Sequence, residues 1–110
     1  MTFLLLKSDK MGCGEPELGR KLLRLFLEKL AASDTKVDLV GCLNSGIFLT
    51  TEGSEVINSL KVLQAKGARI ATCGTCLDHY QKREKLLIGE VGSMEQTVQV
   101  LVAADRIISI

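Results

Sequence analysis

The chain has one proline, one histidine, one tyrosine and no tryptophan in 110 residues. Three phenylalanines and a single tyrosine are too few for the aromatic platform on which single-stranded nucleic acids stack. Charge of one sign is lacking too. Fourteen Lys and Arg against thirteen Asp and Glu leave a net charge of +1, without the basic excess of a nucleic-acid binder or a polybasic membrane anchor. No apolar run approaches the ~20 residues of a membrane-spanning helix. The opening Met1–Lys7 is too short for a signal peptide and has no small-residue cleavage site. A soluble, cytoplasmic protein with neither nucleic-acid nor membrane partners is the expectation. The lone histidine and the lack of a Gly-x-Ser-x-Gly elbow argue against a hydrolase triad. Gly12-Cys13-Gly14 runs into Glu15-Pro16-Glu17, which breaks the dinucleotide-binding spacing, and no phosphate-binding P-loop exists.

What is present is 46% hydrophobic residues in a length that suits one domain over 1–110, with a core large enough to need no staples. The apolar pattern alternates between short runs and helical periods. Phe3–Leu6 reads as a strand buried on both faces, and Ser8–Gly14 as a loop. Pro16 stands where a first-turn proline belongs, followed by Leu18, Leu22, Phe26 and Leu30 along one helical face. Val37–Leu43 is a second strand, closed by the turn signal Asn44-Ser45-Gly46. Ile47–Gly53 reads as a loop carrying an apolar plug. Ser54 is a candidate N-cap for a helix with Val56, Ile57, Leu60 and Leu63 inward and Gly67 as its stop. Ala68–Thr72 is a third strand, and a short helix is predicted over Leu77–Arg83. A fourth strand lies in Leu86–Val91. Ser93 and Gln96 form a capping box for a last helix with Met94, Val98, Leu101 and Val102 on its apolar face. Arg106–Ile110 is a terminal strand. This β-α alternation predicts an α/β fold with right-handed crossovers, a parallel sheet and helices on both faces.

Ligands of such sheets bind beyond the carboxyl ends of the strands. There the sequence places three loops rich in Gly, Ser, Thr and Cys: Ser8–Gly14, Asn44–Gly53 and Cys73–Cys76. Cys73-Gly74-Thr75-Cys76 is the sharpest feature, because a strand-to-helix junction offers free amides and a favourable potential to a thiolate. In a reducing compartment these thiols are not a disulfide framework by default. Four readings fit. Thioredoxin-like exchange is one, although the only proline is at a helix start and no cis-proline can face the dithiol. A zinc site would need Cys13, Cys42 or His79 to complete a set, with no second ligand pair in the sequence. A persulfide-bearing thiol needs one activated cysteine and neither metal nor cofactor. Cysteines that only fill space make the chain a non-catalytic small-ligand or partner-binding module. Cys42, within a strand, reads as core; Cys13 is a candidate for the crevice; Glu52 and Asp78 read as solvated charges.

Several stretches together carry a family resemblance: Ser8-Asp9-Lys10-Met11-Gly12, Glu17-Leu18-Gly19-Arg20, Asn44-Ser45-Gly46, Leu49-Thr50-Thr51-Glu52-Gly53-Ser54, Cys73-Gly74-Thr75-Cys76-Leu77-Asp78 and Gly89-Glu90-Val91. The chain resembles the DsrE-like proteins, specifically the C-terminal domain of the YedF selenium-metabolism proteins. The resemblance implies a three-layer α/β/α domain with a five-stranded, mainly parallel sheet, and a homo-oligomer (trimer, hexamer or dimer). It also implies a sulfurtransferase-like sulfur relay in which Cys73 bears the persulfide and Cys76 is the second thiol. Met11, Gly12 and Cys13, with Asn44, Ser45 and Gly46, would wall the site, and Gly74 and Thr75 would supply amides. Full-length relatives carry a preceding domain resembling the small TusA sulfur carriers, so a TusA-like partner is expected to act in trans. A basic residue is expected in many relatives where Cys13 stands.

Overall fold

A computed structural model describes residues 1–110. Five strands, β1 (Thr2–Leu6), β2 (Leu39–Cys42), β3 (Arg69–Cys73), β4 (Glu90–Gly92) and β5 (Arg106–Ser109), form one sheet in the order β4-β3-β2-β1-β5. Every pairing is parallel. Four helices connect them: α1 (Pro16–Ala32), α2 (Ile57–Ala65), α3 (Gly74–His79) and α4 (Met94–Ala103). The expected α/β class with a five-stranded parallel sheet is what the chain adopts.

The strand order explains the layers. From β1 to β4 the chain steps in one direction, then returns across the sheet to place β5 on the far side of β1. Right-handed connections therefore send α1 and α2 to one face and α4 to the other. The larger core lies on the first face, where Leu4, Leu6, Val40 and Ile70 of the sheet meet Leu23 and Leu27 of α1 and Leu60 and Leu63 of α2. Fully burying each such side chain contributes roughly 1.5–3 kcal/mol.

Several boundaries and faces differ from the sequence reading. The buried stripe of α1 is Gly19, Leu23, Leu27 and Ala31, one position round from the expected one; Leu18 is 51% exposed. Phe26 and Leu30 pack against the core only in part. Gly19 sets this phase, because Lys10 Cβ would lie 3.0 Å from a Cβ at 19 and the Gly19 carbonyl accepts the Met11 N–H. Helix α2 begins three residues after Ser54, whose hydroxyl donates to the Leu49 carbonyl and accepts the Val56 N–H instead of capping the helix. Asn44–Leu49 is a 3₁₀ turn rather than a plain loop. The short fourth strand expected within Leu86–Val91 starts at Glu90 and runs on to Gly92, since Leu86 and Leu87 bond to Thr51 and Thr50 instead. The capping box of Ser93 and Gln96 is present on both sides. Its helix, however, buries no side chain: Met94, Val98, Leu101 and Val102 face outward, Val102 at 83% exposure.

Candidate functional site

Cys73 is the last residue of β3 and the residue before the first turn of α3. Its neighbour across the sheet is Gly92 of β4. The connection leaving β3 and the one leaving β4 serve opposite faces, so the carboxyl edge opens between these two strands, where such sheets take ligands. A cavity of ≈ 30 Å³ lies between the sheet and α4, bounded by Cys73, Gly92, Ser93 and Gln96 among others. That is room for one water-sized group.

The start of α3 lies tight against its surroundings. A Cβ at Gly74 would sit 2.9 Å from Arg83 Nη2 and 3.0 Å from Val91 Cγ1. Arg83 donates from Nη2 to the Gly74 carbonyl at 3.3 Å, and from Nε and Nη2 to the Asp78 carboxylate at 2.7 and 3.0 Å. One guanidinium thus ties the first residue of α3 to its last turn. Asp78 is solvated as expected and also paired: the hydrogen-bonded Arg83 holds its carboxyl below the usual carboxylate range.

Cys76 lies one helical turn on, half-buried like Cys73. Its sulfur accepts the Asn44 backbone N–H at 3.1 Å. Asn44 stands in the left-handed region at φ +52°, a conformation asparagine tolerates better than most residues. The Tyr80 hydroxyl donates to Asn44 Oδ1 at 3.2 Å, and the Tyr80 ring packs on Phe48 with centroids 4.8 Å apart. Burial pushes the Cys76 thiol above the usual thiol range; the Asn44 N–H opposes this, and a hydrogen bond and charge shared with Cys73 add to it. The ionisation of Cys76 is thus influenced by Cys73.

The Asn44 turn is fixed from the opposite side. A Cβ at Gly46 would run into the Leu6 carbonyl, so only glycine lets the turn close over the end of β1. Ser45 Oγ bonds Ser8 Oγ and accepts the Asp9 N–H, each at 3.3 Å. Thr75 is the second residue of α3. The structure thus brings Asn44, Ser45, Gly46, Gly74, Thr75, Cys73 and Cys76 to one edge. Met11 packs toward the main core, Gly12 turns at φ +86°, and Cys13 is exposed. No hydrogen bond joins these three to the sulfur pair. Cys42 is core as expected, and burial pushes its thiol up to about 12. No three His, Cys, Asp or Glu side chains are grouped as metal ligands.

Sequence reasoning passes over Tyr80, and gives Arg83 only as one of several nearby residues, with His79, Lys82 and Lys85, that add positive potential beside the cysteines. Tyr80 carried a usable signal, since it lies four residues after Cys76 and so shares its helical side. The charge of Arg83 was legible but its contact was not, because only the fold of the turn after α3 returns it to Gly74.

No protein-family model and no curated protein matches the chain in sequence. Solved structures do match in fold. The ychN protein from E. coli superposes with a TM-score of 0.68 at 15% identity, over 99% of this chain and 97% of that one. MTH1491 from Methanobacterium thermoautotrophicum, described as a protein of unknown function, superposes with a TM-score of 0.68 at 18% identity, over the same shares of the two chains. Both are DsrE-like fold proteins, and the chain shares that fold.

Proposed function

We propose that this DsrE-like fold serves a sulfurtransferase-like persulfide or selenium carrier, of the kind formed by the C-terminal domain of the YedF proteins. One observation supports it most: two free, half-buried thiols one helical turn apart at the carboxyl edge, with the Asn44 backbone N–H on the Cys76 sulfur. In this reading the Cys73 thiolate attacks the outer sulfur of a partner's persulfide. A new S–S bond forms on Cys73, the partner's S–S bond breaks, and the partner leaves as a thiolate. The outer sulfur then passes to an acceptor thiolate in the same way. Alternatively the Cys76 thiolate attacks the inner sulfur, giving a Cys73–Cys76 disulfide and sulfide. The donor or acceptor is a TusA-like carrier acting in trans. The protein works as a homo-oligomer, a reading supported by the outward apolar stripe of α4.

Intact-mass measurement after incubation with a persulfidated donor protein tests this. The expected gain is one sulfur atom per chain, absent in Cys73→Ala and retained in Cys42→Ala. The absence of both a gain and released sulfide with a loaded donor overturns the relay. Formation of a Cys73–Cys76 disulfide without release of sulfide would assign thiol redox chemistry instead.

A further inference from the structure

The chain has five arginines. The guanidinium groups of Arg69, Arg83 and Arg106 each donate at least one hydrogen bond, to Glu90, to Asp78 and Gly74, and to Thr2. Those of Arg20 and Arg24 donate none. Both line one cavity of ≈ 130 Å³ between α1 and the loop that follows the 3₁₀ turn. Arg20 has no ion pair, and Arg24 has only loose ones, 3.8 Å from Glu28 and from Glu55. Two cations therefore face one space with their donors unspent.

The rest of the lining narrows the ligand. Phe48, Leu49 and Val56 give it an apolar side. Asp9 and Glu55 also line it, which brings the formal charge of the cavity to zero and disfavours a doubly charged anion. Asp9 is engaged by Lys10 at 2.7 Å, so Arg20 and Arg24 remain the groups free to bind. The wall is pre-formed: Ser54 Oγ donates to the Leu49 carbonyl at 2.6 Å and accepts the Val56 N–H at 3.1 Å. A volume equal to about four waters suits a short molecule with one charged end.

We propose that this cavity binds a small monocarboxylate, its carboxylate on Arg20 and Arg24 and its hydrocarbon against Phe48, Leu49 and Val56. The site lies on the carboxyl edge of the sheet, beyond the ends of β1 and β2, where α/β proteins take ligands. It is separate from the sulfur pair and does not depend on the relay. Phe48 is shared between the two, since its ring packs on Tyr80.

Amide chemical-shift titration of the full chain with butyrate tests the proposal, with butylammonium and inorganic phosphate as comparison probes. Butyrate is expected to give saturable shifts at Arg20, Arg24, Phe48, Gly53 and Glu55. Arg20→Gln should weaken binding about tenfold or more, as the loss of a charge-assisted bond predicts. Glu55→Gln should tighten it, and all these side chains lie at the surface, so folding is preserved. Shifts that do not saturate, that butylammonium reproduces, or that survive Arg20→Gln undiminished overturn the proposal. Stronger binding of phosphate than of butyrate overturns the assignment of a monocarboxylate.

Discussion

Cys73 and Cys76 differ in surroundings although three residues separate them. The Cys76 thiol is raised by burial and then by its neighbour's sulfur. Removing that neighbour removes two of the raising influences. In Cys73→Ala the Cys76 thiol should therefore titrate at lower pH than in the parent, and the pH profile of its alkylation by iodoacetamide should move to the acid side. A profile that does not move would mean that the sulfurs do not interact. Cys42 offers a different test. Its thiol ionises near 9.0 when solvated and about 12 in the core, so the folded state keeps a proton that the unfolded chain loses. Stability from this residue is intact below pH 9.0 and falls as the pH rises from 9.0 toward 12, by about 1.4 kcal/mol per pH unit. Denaturant unfolding of the parent and of Cys42→Ala across this range should show the parent's advantage shrinking at that slope.

Among the connecting elements, the 3₁₀ turn after β2 carries the most consequence for the site. Gly46→Ala drives a methyl group into the Leu6 carbonyl and is expected to cost about 1–3 kcal/mol. It should also release the Asn44 N–H from Cys76, visible as a change in Cys76 alkylation. Gly14→Ala, with open space and no positive φ, should stay within about 0.5 kcal/mol. Urea unfolding of the two variants separates them. The same turn shows where sequence reasoning reached its limit. The β-α alternation was legible, because short apolar runs and helical periods are local signals. So were Pro16 at the start of α1 and the Ser93–Gln96 box. The phase of α1 was not, since leucines at 18, 22, 23, 25, 27 and 30 wrap most of the helix and the contact at Gly19 decides which of them are covered. The start of α2 was misread because a serine hydroxyl can cap a helix or bond backward, and Ser54 bonds backward. At the site, the Cys-x-x-Cys pair was legible from spacing, whereas the donor to Cys76 is a backbone amide, which any residue at position 44 but proline would supply.

At the scale of the whole molecule, one sheet face is covered by α1 and α2 and the other by α4. Helix α4 turns Gln96, Thr97 and Val100 to the cavity over the sheet and Met94, Val98 and Val102 to solvent. An apolar stripe with nothing packed on it is the natural seat of the proposed self-association. Val98→Asp with Val102→Asp should leave the fold of one chain intact, because both side chains are already exposed, and should lower the assembly's mass in sedimentation velocity. A parent that sediments as a monomer at micromolar concentration would remove this proposal.

The all-parallel sheet also sets where the two ends of the chain emerge. Met1 precedes β1 at the amino edge, its ammonium paired with Asp105. Ile110 follows β5 at the opposite edge, its N–H donated to the Leu5 carbonyl while its own carbonyl accepts the Lys7 N–H. Three strand spacings, about 14 Å, separate β5 from β3 along the edge that carries the sulfurs. A fluorophore or affinity tag fused behind Ile110 would crowd the approach of any docking protein, whereas one fused ahead of Met1 would leave that approach clear. Binding measurements on this protein should be made with amino-terminal labels.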